Sequence, residues 1–178
     1  MVAFLYTGQG SQYVNMLAEL RAAEPIVAAR FTTADSIMEP ILGRPLSEYI
    51  FADPEDQVAI DQADAELRQT EITQPAVLTV DAALTEMLAA YGIQPDMVMG
   101  HSLGEYTALV CANAIEFGDA VRVVKKRSEL MQAAVPVGTG AMAAVAILAL
   151  QAAAFLSLVE MGLAPAWMVM IILARELA

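Results

Sequence analysis

Short apolar runs alternate with longer amphipathic stretches along most of the chain. The runs VAFLY at 2–6 and DMVM at 96–99 each predict a short buried strand, bounded by glycine or polar residues. The longer stretches predict helices: two within 13–42 that break near Pro25, and one each over 73–92, 103–114 and 117–134. Strands that alternate with helices predict an α/β fold, with a parallel sheet and flanking helices.

The middle of the chain contains the most polar third and the clearest helix signals. Residues 43–72 include ADPEDQ and DQADAE, which predict loops and short helices on the surface. In the next helix Thr73 is the predicted N-cap, Pro75 suits the first turn and Gly92 ends the helix.

The last forty residues differ in character from the rest. Residues 141–148, AMAAVAIL, predict a strand, and from Ala141 to Leu173 the one ionisable residue is Glu160. A helix followed by a strand is one interpretation of this tail. Two short membrane segments are another, although neither half reaches the roughly 20 apolar residues that a span needs. We therefore divide the chain into a core at 1–137 and a divergent region at 138–178.

Composition excludes several classes of function. The net charge is −12 over 178 residues, which argues against nucleic acid as a partner because phosphate binding needs excess Lys and Arg. Cys111 is the single cysteine, so no internal disulfide or thiol-rich metal site is expected. The start MVAFLYTGQG has no basic segment and too short an apolar run for a signal peptide. A reduced, cytoplasmic setting is the expectation.

The heptapeptide GHSLGEY at 100–106 places a serine between two glycines, after a predicted strand and before a predicted helix. This context is typical of a nucleophile elbow, a tight turn that raises the serine above the sheet. Ser102 is the candidate nucleophile, and the N–H of Leu103 would point to where an oxyanion forms. The alternative is a serine that merely caps a helix.

A second glycine-rich turn, TGQGSQ at 7–12, follows the first predicted strand. Loops that follow neighbouring parallel strands meet at the same edge of a sheet. The N–H of Gln9 is therefore the candidate second donor to an oxyanion beside Ser102. An ordinary glycine turn is the alternative interpretation.

Arg127 is the third candidate. On the helix over 117–134 it shares a face with Val121, Val124 and Met131, whereas Arg122 lies on the other face. An arginine on a core-facing stripe needs an anionic partner. A substrate carboxylate would serve, and so would a protein carboxylate in a buried ion pair; the sequence does not separate the two.

Taken in order, GQGSQ, TQPAVLTVDAAL, GHSLGEY, the arginine of RSELMQ and GAMAAV closely resemble the malonyl-CoA:acyl carrier protein transacylase family. That family includes the acyltransferase domains of polyketide and fatty-acid synthases, and the resemblance covers roughly residues 1–148. It implies an α/β-hydrolase-like acyltransferase core with a small ferredoxin-like subdomain, of which GAMAAVAI would be the first strand.

The resemblance also implies roles. Ser102 would accept the acyl group, Gln9 and Leu103 would form the oxyanion hole, and Arg127 would bind the free carboxylate of a malonyl-type group. Malonyl-CoA or a related acyl-CoA would load Ser102, and the phosphopantetheine thiol of an acyl carrier protein would then take the acyl group. No metal or further cofactor is implied.

The chain departs from the family in its histidines. The resemblance implies a general-base histidine well downstream of the serine, but the one histidine here is His101, beside Ser102 in the elbow. We interpret His101 as structural and expect a truncated or rearranged gene; whether a second chain supplies the missing half, the sequence leaves open. The alternatives are a remnant that only binds acyl-CoA or carrier protein, a serine hydrolase with another base, and a small membrane protein.

Overall fold

Residues 1–134, the part of the chain that the computed structural model describes, contain two parallel strands that helices cover in part. The strands are β1, Ala3–Tyr6, and β2, Met97–Gly100. The helices are α1 Ala18–Ala23, α2 Pro25–Leu42, α3 Ser47–Ile50, α4 Gln57–Leu67, α5 Thr70–Ala90, α6 Gly104–Cys111 and α7 Phe117–Ala134. The predicted α/β class with a parallel sheet is confirmed. The predicted strand at 141–148, the ferredoxin-like start and the proposed division at 138 lie outside the described residues.

Local signals explain where several helices begin and end. Pro25 opens α2, and Gly43 ends it with a φ of 83° that favours glycine. Asp56 caps α4 by accepting hydrogen bonds from the N–H groups of Val58 and Ala59. Gly92 takes a φ of 79° just beyond α5.

The core lies around α5, which packs against α2, α6 and α7. Its buried side chains are mostly aliphatic, and the fully enclosed ones include Val27, Phe31, Met38, Leu78, Leu103, Val121 and Val124. Burial of this apolar surface is the main stabilising contribution to the fold.

Three of the sequence predictions were wrong in detail. The strands are not buried: Leu5 is 46% exposed and β2 is half-buried, because α6 covers only part of the small sheet. The region 43–72 is not purely surface, since Leu46 and Ile50 are fully buried. Thr73 is not the N-cap of α5, which begins three residues earlier at Thr70.

None of the described helices is both long enough and apolar enough to cross a bilayer.

Candidate active site

The two glycine-rich loops begin side by side at the carboxyl edge of the sheet. In the parallel register Tyr6 is opposite Gly100, and the N–H of His101 donates to the Tyr6 carbonyl at 3.1 Å. A Cβ on Gly8 would lie 3.0 Å from the His101 carbonyl oxygen. The predicted juxtaposition of the TGQGSQ loop and the serine turn is therefore what the structure contains.

Ser102 occupies a strained turn between β2 and α6. Its φ is 53°, in the left-handed region that non-glycine residues rarely adopt. The N–H of Gly104 donates to the His101 carbonyl at 2.9 Å, which closes the turn under the serine. Strain of this kind persists where the surroundings fix it, and in a strand-to-helix turn it lifts the side chain from the sheet.

The flanking glycines are required by close packing rather than by unusual dihedral angles. A Cβ on Gly104 would overlap the Tyr6 carbonyl and come within 2.7 Å of the Thr7 carbonyl oxygen. A Cβ on Gly100 would overlap the backbone of Gly104. The two glycines thus allow β1 and the start of α6 to meet directly beneath Ser102.

The backbone N–H groups of Gln9 and Leu103 are among those in these loops that have no acceptor within residues 1–134. Leu103 is fully buried and stands at the N-cap of α6, where the helix dipole favours negative charge. Unpaired donors beside a serine on such a turn suit a developing oxyanion.

The Arg127 guanidinium reaches Ser102 from α7. Its Nη2 donates to Ser102 Oγ at 3.1 Å, and its Nη1 donates to Gln74 Oε1 at 2.8 Å. The group also lies 5.8 Å from the centre of the Tyr106 ring. In the described part of the chain no carboxylate pairs with Arg127, so the ion-pair alternative has no partner there.

A neighbouring cation that the sequence analysis did not single out makes the buried ion pair instead. Lys125 is 5% exposed, and its Nζ lies 2.6 Å from Glu71 Oε2 and 3.6 Å from Glu129 Oε1. This contact ties α7 to the first turn of α5. Arg127, two residues beyond Lys125 on α7, faces Gln74, three residues beyond Glu71 on α5.

Gln74 contacts two of the candidate site residues or their neighbours, and the sequence analysis did not single it out. It is fully buried, its Nε2 donates to Thr70 Oγ1 at 2.9 Å, and the Thr70 hydroxyl donates to Gln9 Oε1 at 2.8 Å. Its position in the sequence could have indicated this. A glutamine inside the apolar run ITQPAVL is expected to be buried, and a buried amide needs hydrogen-bond partners.

The His101 side chain does not engage the serine within the described residues. Its Nδ1 would lie 3.2 Å from a Cβ on Gly8, so the imidazole packs over the first glycine loop. The hydrogen-bond partner of Ser102 Oγ in this region is Arg127. This geometry fits the structural interpretation of His101.

Space beside the site is provided by a groove of about 530 Å³ that borders Arg127. Tyr106, Leu130 and Met131 supply apolar walls, and Met131 is 36% exposed rather than in the core as predicted from its helix face.

A separate cavity of about 410 Å³ between α5 and α6 contains none of the predicted site residues. Among the described residues no three His, Cys, Asp or Glu side chains converge as a metal site.

Asp81 on α5 has a carboxyl whose pKa differs from its usual value. Burial raises its pKa to about 7, and a hydrogen bond from Thr107 Oγ1 only partly offsets this effect. Asp81 lies near Tyr6, whose hydroxyl pairs with Thr85 at 2.9 Å.

Comparison with known proteins places this geometry in a family. Residues 3–169 match the acyl transferase domain family. The malonyl CoA-acyl carrier protein transacylase of Escherichia coli O157:H7 is 46% identical over 144 residues, which are 80% of this chain and 42% of the relative. The chain thus spans about two fifths of the length of that curated relative.

Similarity to solved structures indicates the same family. The malonyl CoA-acyl carrier protein transacylase of Coxiella burnetii is 44% identical, with a TM-score of 0.65 over 77% of this chain and 40% of that one. A malonyl-transacylase in complex with its type II PKS acyl-carrier protein is 40% identical, with a TM-score of 0.64 over 76% of this chain and 40% of that one. With the serine turn, the paired loops and a family match over residues 3–169, this chain belongs to the acyl transferase domain family.

Proposed function

We propose that the chain transfers a malonyl-type acyl group from coenzyme A to the phosphopantetheine thiol of an acyl carrier protein, by way of an acyl-Ser102 intermediate. The observation that supports this most directly is the contact between Arg127 and Ser102. A nucleophile on a strained turn has a carboxylate-binding cation 3.1 Å away. Acyl-CoA is the substrate, and the reaction requires no further cofactor.

The first half-reaction is substitution at the thioester carbonyl. Ser102 Oγ forms a bond to the carbonyl carbon, and the N–H groups of Gln9 and Leu103 stabilise the oxyanion. The C–S bond then breaks, and the proton lost from the serine hydroxyl ends on the thiol of CoA. In the second half-reaction a carrier-protein thiol attacks the ester, and its proton returns to Ser102.

Arg127 selects acyl groups that carry a free carboxylate. Its planar guanidinium offers a bidentate site, and Gln74 already engages one of the two terminal nitrogens. A malonyl carboxylate that accepts from Nη2 replaces Ser102 Oγ as its acceptor. Binding of the correct substrate therefore frees the serine oxygen for attack.

Both proposed partners are supported by the relatives. The transacylases of Escherichia coli and Coxiella burnetii are named for malonyl-CoA and acyl carrier protein, and one similar enzyme was solved with its carrier protein bound. We carry these substrate and partner classes over to this chain as part of the proposal.

The test is a two-stage mass measurement. The chain is incubated with malonyl-CoA, and the intact mass is recorded; holo-acyl carrier protein is then added, and both masses are recorded again. We expect one malonyl group on the chain and then on the carrier protein. Ser102→Ala is the control that must show neither, and a malonyl adduct on that variant would contradict the assignment of Ser102.

A second candidate function is binding of acyl-CoA without turnover. It is favoured by the chemistry around Ser102: the side chain that hydrogen-bonds its hydroxyl within residues 1–134 is a guanidinium, which cannot accept a proton. Added imidazole separates the two functions. Slow loading that imidazole accelerates indicates an acyltransferase that needs an external base, whereas tight binding with no adduct at any imidazole concentration indicates a binding protein.

A further inference from the structure

Gln74 holds the Arg127 guanidinium through a fixed amide. Arg127 donates and cannot accept, so the Gln74 oxygen must face Nη1, at 2.8 Å. The amide nitrogen then faces the other way, donating to Thr70 Oγ1 at 2.9 Å and to Met131 Sδ at 3.5 Å. Each polar atom of this fully buried side chain is satisfied in one orientation only.

The amide also joins two parts of the site. Thr70 accepts from Gln74 and donates to Gln9 Oε1 at 2.8 Å, in the loop whose N–H is the proposed oxyanion donor. One chain of hydrogen bonds thus runs from Gln9 through Thr70 and Gln74 to Arg127. An arginine side chain has many rotamers, and ordering it costs free energy that a preformed partner removes in advance.

We propose that Gln74 is a positioning residue that fixes Arg127 for a substrate carboxylate and thereby sets the preference for malonyl over acetyl groups. This inference rests on the proposed function. Gln74 need not touch the acyl group: it acts by holding Nη1, so that Nη2 and the remaining N–H groups present one geometry to the ligand. Without the hydrogen bond from Nη1 to Gln74, the Arg127 guanidinium exchanges among several positions.

The experiment measures binding rather than turnover, so that it does not depend on loading. In the Ser102→Ala chain, dissociation constants for malonyl-CoA and acetyl-CoA are measured by calorimetry. Gln74→Met is then added, because methionine keeps the length of the side chain and removes its hydrogen bonds to Arg127 and Thr70. We expect malonyl-CoA to bind about 10-fold more weakly, as when one hydrogen bond to a charged group is lost, and acetyl-CoA to be unchanged within about 2-fold.

Thr79→Val is the matched control on the same helix. Thr79 is also fully buried, and its hydroxyl donates to the Pro75 carbonyl at 2.7 Å, but it forms no hydrogen bond with Gln9, Thr70, Gln74 or Arg127. If a substitution acted only by disturbing the structure of α5, it would weaken the binding of malonyl-CoA and acetyl-CoA alike. A positioning role changes the malonyl-to-acetyl ratio in Gln74→Met and leaves it intact in Thr79→Val.

Gln74→Leu keeps the inference testable if Gln74→Met does not fold. Leucine also removes the hydrogen bonds to Arg127 and Thr70, so the malonyl preference must fall again. An unchanged ratio in either folded variant overturns the proposal, and so does a parent chain with no preference for malonyl-CoA. Failure of the proposed function is seen separately, as absence of an adduct on the native Ser102 chain.

Discussion

Arg127 donates a hydrogen bond of 3.1 Å from its Nη2 to the Oγ of Ser102, across 25 residues of sequence. The contact joins the strained turn after β2 to the middle of α7. Under the proposed function it has two consequences: it places the malonyl carboxylate next to the nucleophile, and it occupies a lone pair of the serine oxygen until that carboxylate arrives.

Removing the Arg127 guanidinium should therefore lower the preference for malonyl over acetyl groups more than it lowers the rate of acyl transfer itself. We expect Arg127→Ala to lower the rate of malonyl loading on Ser102 by roughly 100-fold or more, as two hydrogen bonds to a charged group are lost, and to affect acetyl loading far less. Parallel single-turnover measurements with the two acyl-CoAs give the ratio.

Arg122→Ala is the control for loss of positive charge from α7. Arg122 is exposed, and its partner in the described residues is Asp119 on the same helix. A similar fall in the malonyl-to-acetyl ratio for both variants would mean that general electrostatic attraction, and not the contact with Ser102, selects the substrate.

The serine turn depends on the absence of a side chain at Gly104. We expect Gly104→Ala to lower the free energy of unfolding by roughly 2 kcal/mol or more, because the added methyl group overlaps the Tyr6 carbonyl and β1 must move. Urea denaturation followed by circular dichroism measures the change.

Gly118→Ala supplies the comparison within α7. A Cβ there would lie 3.4 Å from the nearest atom, Ile37 Cδ1. Alanine is the better helix former, so this variant should be neutral or up to about 1 kcal/mol more stable. A Gly104→Ala chain that is as stable as Gly118→Ala would mean that the turn tolerates a side chain at Gly104.

The ion pair between the buried Lys125 of α7 and the half-exposed Glu71 of α5 should respond differently to the loss of each partner. Glu71→Gln leaves the Lys125 ammonium buried with only the longer contact to Glu129, and we expect a cost of about 1–3 kcal/mol in unfolding free energy. Lys125→Met instead leaves Glu71, whose side chain is 46% exposed, free to be hydrated, and should cost less than about 1 kcal/mol. Chemical denaturation of both variants tests the order; the reverse order would contradict the account of this pair.

Asp81 should make the chain less stable as the pH rises. Burial raises its pKa to about 7 from the usual value of 3.8, so between these values the folded state holds the proton and the unfolded state does not. The stabilisation from this proton is complete below about pH 4 and is lost as the pH rises through about 7. Asp81→Asn should therefore flatten the pH dependence of the free energy of unfolding. At pH 8 the variant should have a free energy of unfolding higher than that of the parent chain, by on the order of 1–3 kcal/mol.

The exposed Asp61→Asn on α4 is the control, since within residues 1–134 its carboxyl accepts a hydrogen bond from Gln57, one turn earlier on the same helix. It should leave the pH profile of the parent chain unchanged. A parent profile that does not fall between pH 4 and pH 7 would contradict the effect of burial on Asp81.

Local patterns were sufficient to predict the framework of the site. The glycines at 8, 10, 100 and 104, the apolar runs before them and the parallel-sheet rule together predicted that Gln9 and Ser102 would share one edge. The bounds of α7 and the half-buried setting of Arg127 also agree with the sequence prediction. The chemical roles of Ser102, Gln9, Leu103 and Arg127 stay predictions.

Long-range partners were not predictable, because periodicity locates a side chain on a face without identifying what lies opposite. Arg127 and Lys125 are two residues apart on α7, and no sequence pattern indicated that Lys125 rather than Arg127 would pair with a carboxylate. The register between α5 and α7 decides it, since Glu71 meets Lys125 and Gln74 meets Arg127. Thr73 was misassigned for a related reason: α5 begins before its apolar stripe does.

One competition experiment tests most directly whether Ser102 and Arg127 act together on the acyl group. The chain is mixed with equal concentrations of malonyl-CoA and acetyl-CoA, and the adduct is identified and located by peptide mass spectrometry. We predict malonyl in clear excess on Ser102, and loss of that excess in Arg127→Ala. Equal acetyl and malonyl loading, or an adduct located elsewhere in the folded chain, would contradict the claim that Ser102 and Arg127 act together on a carboxylate-bearing acyl group.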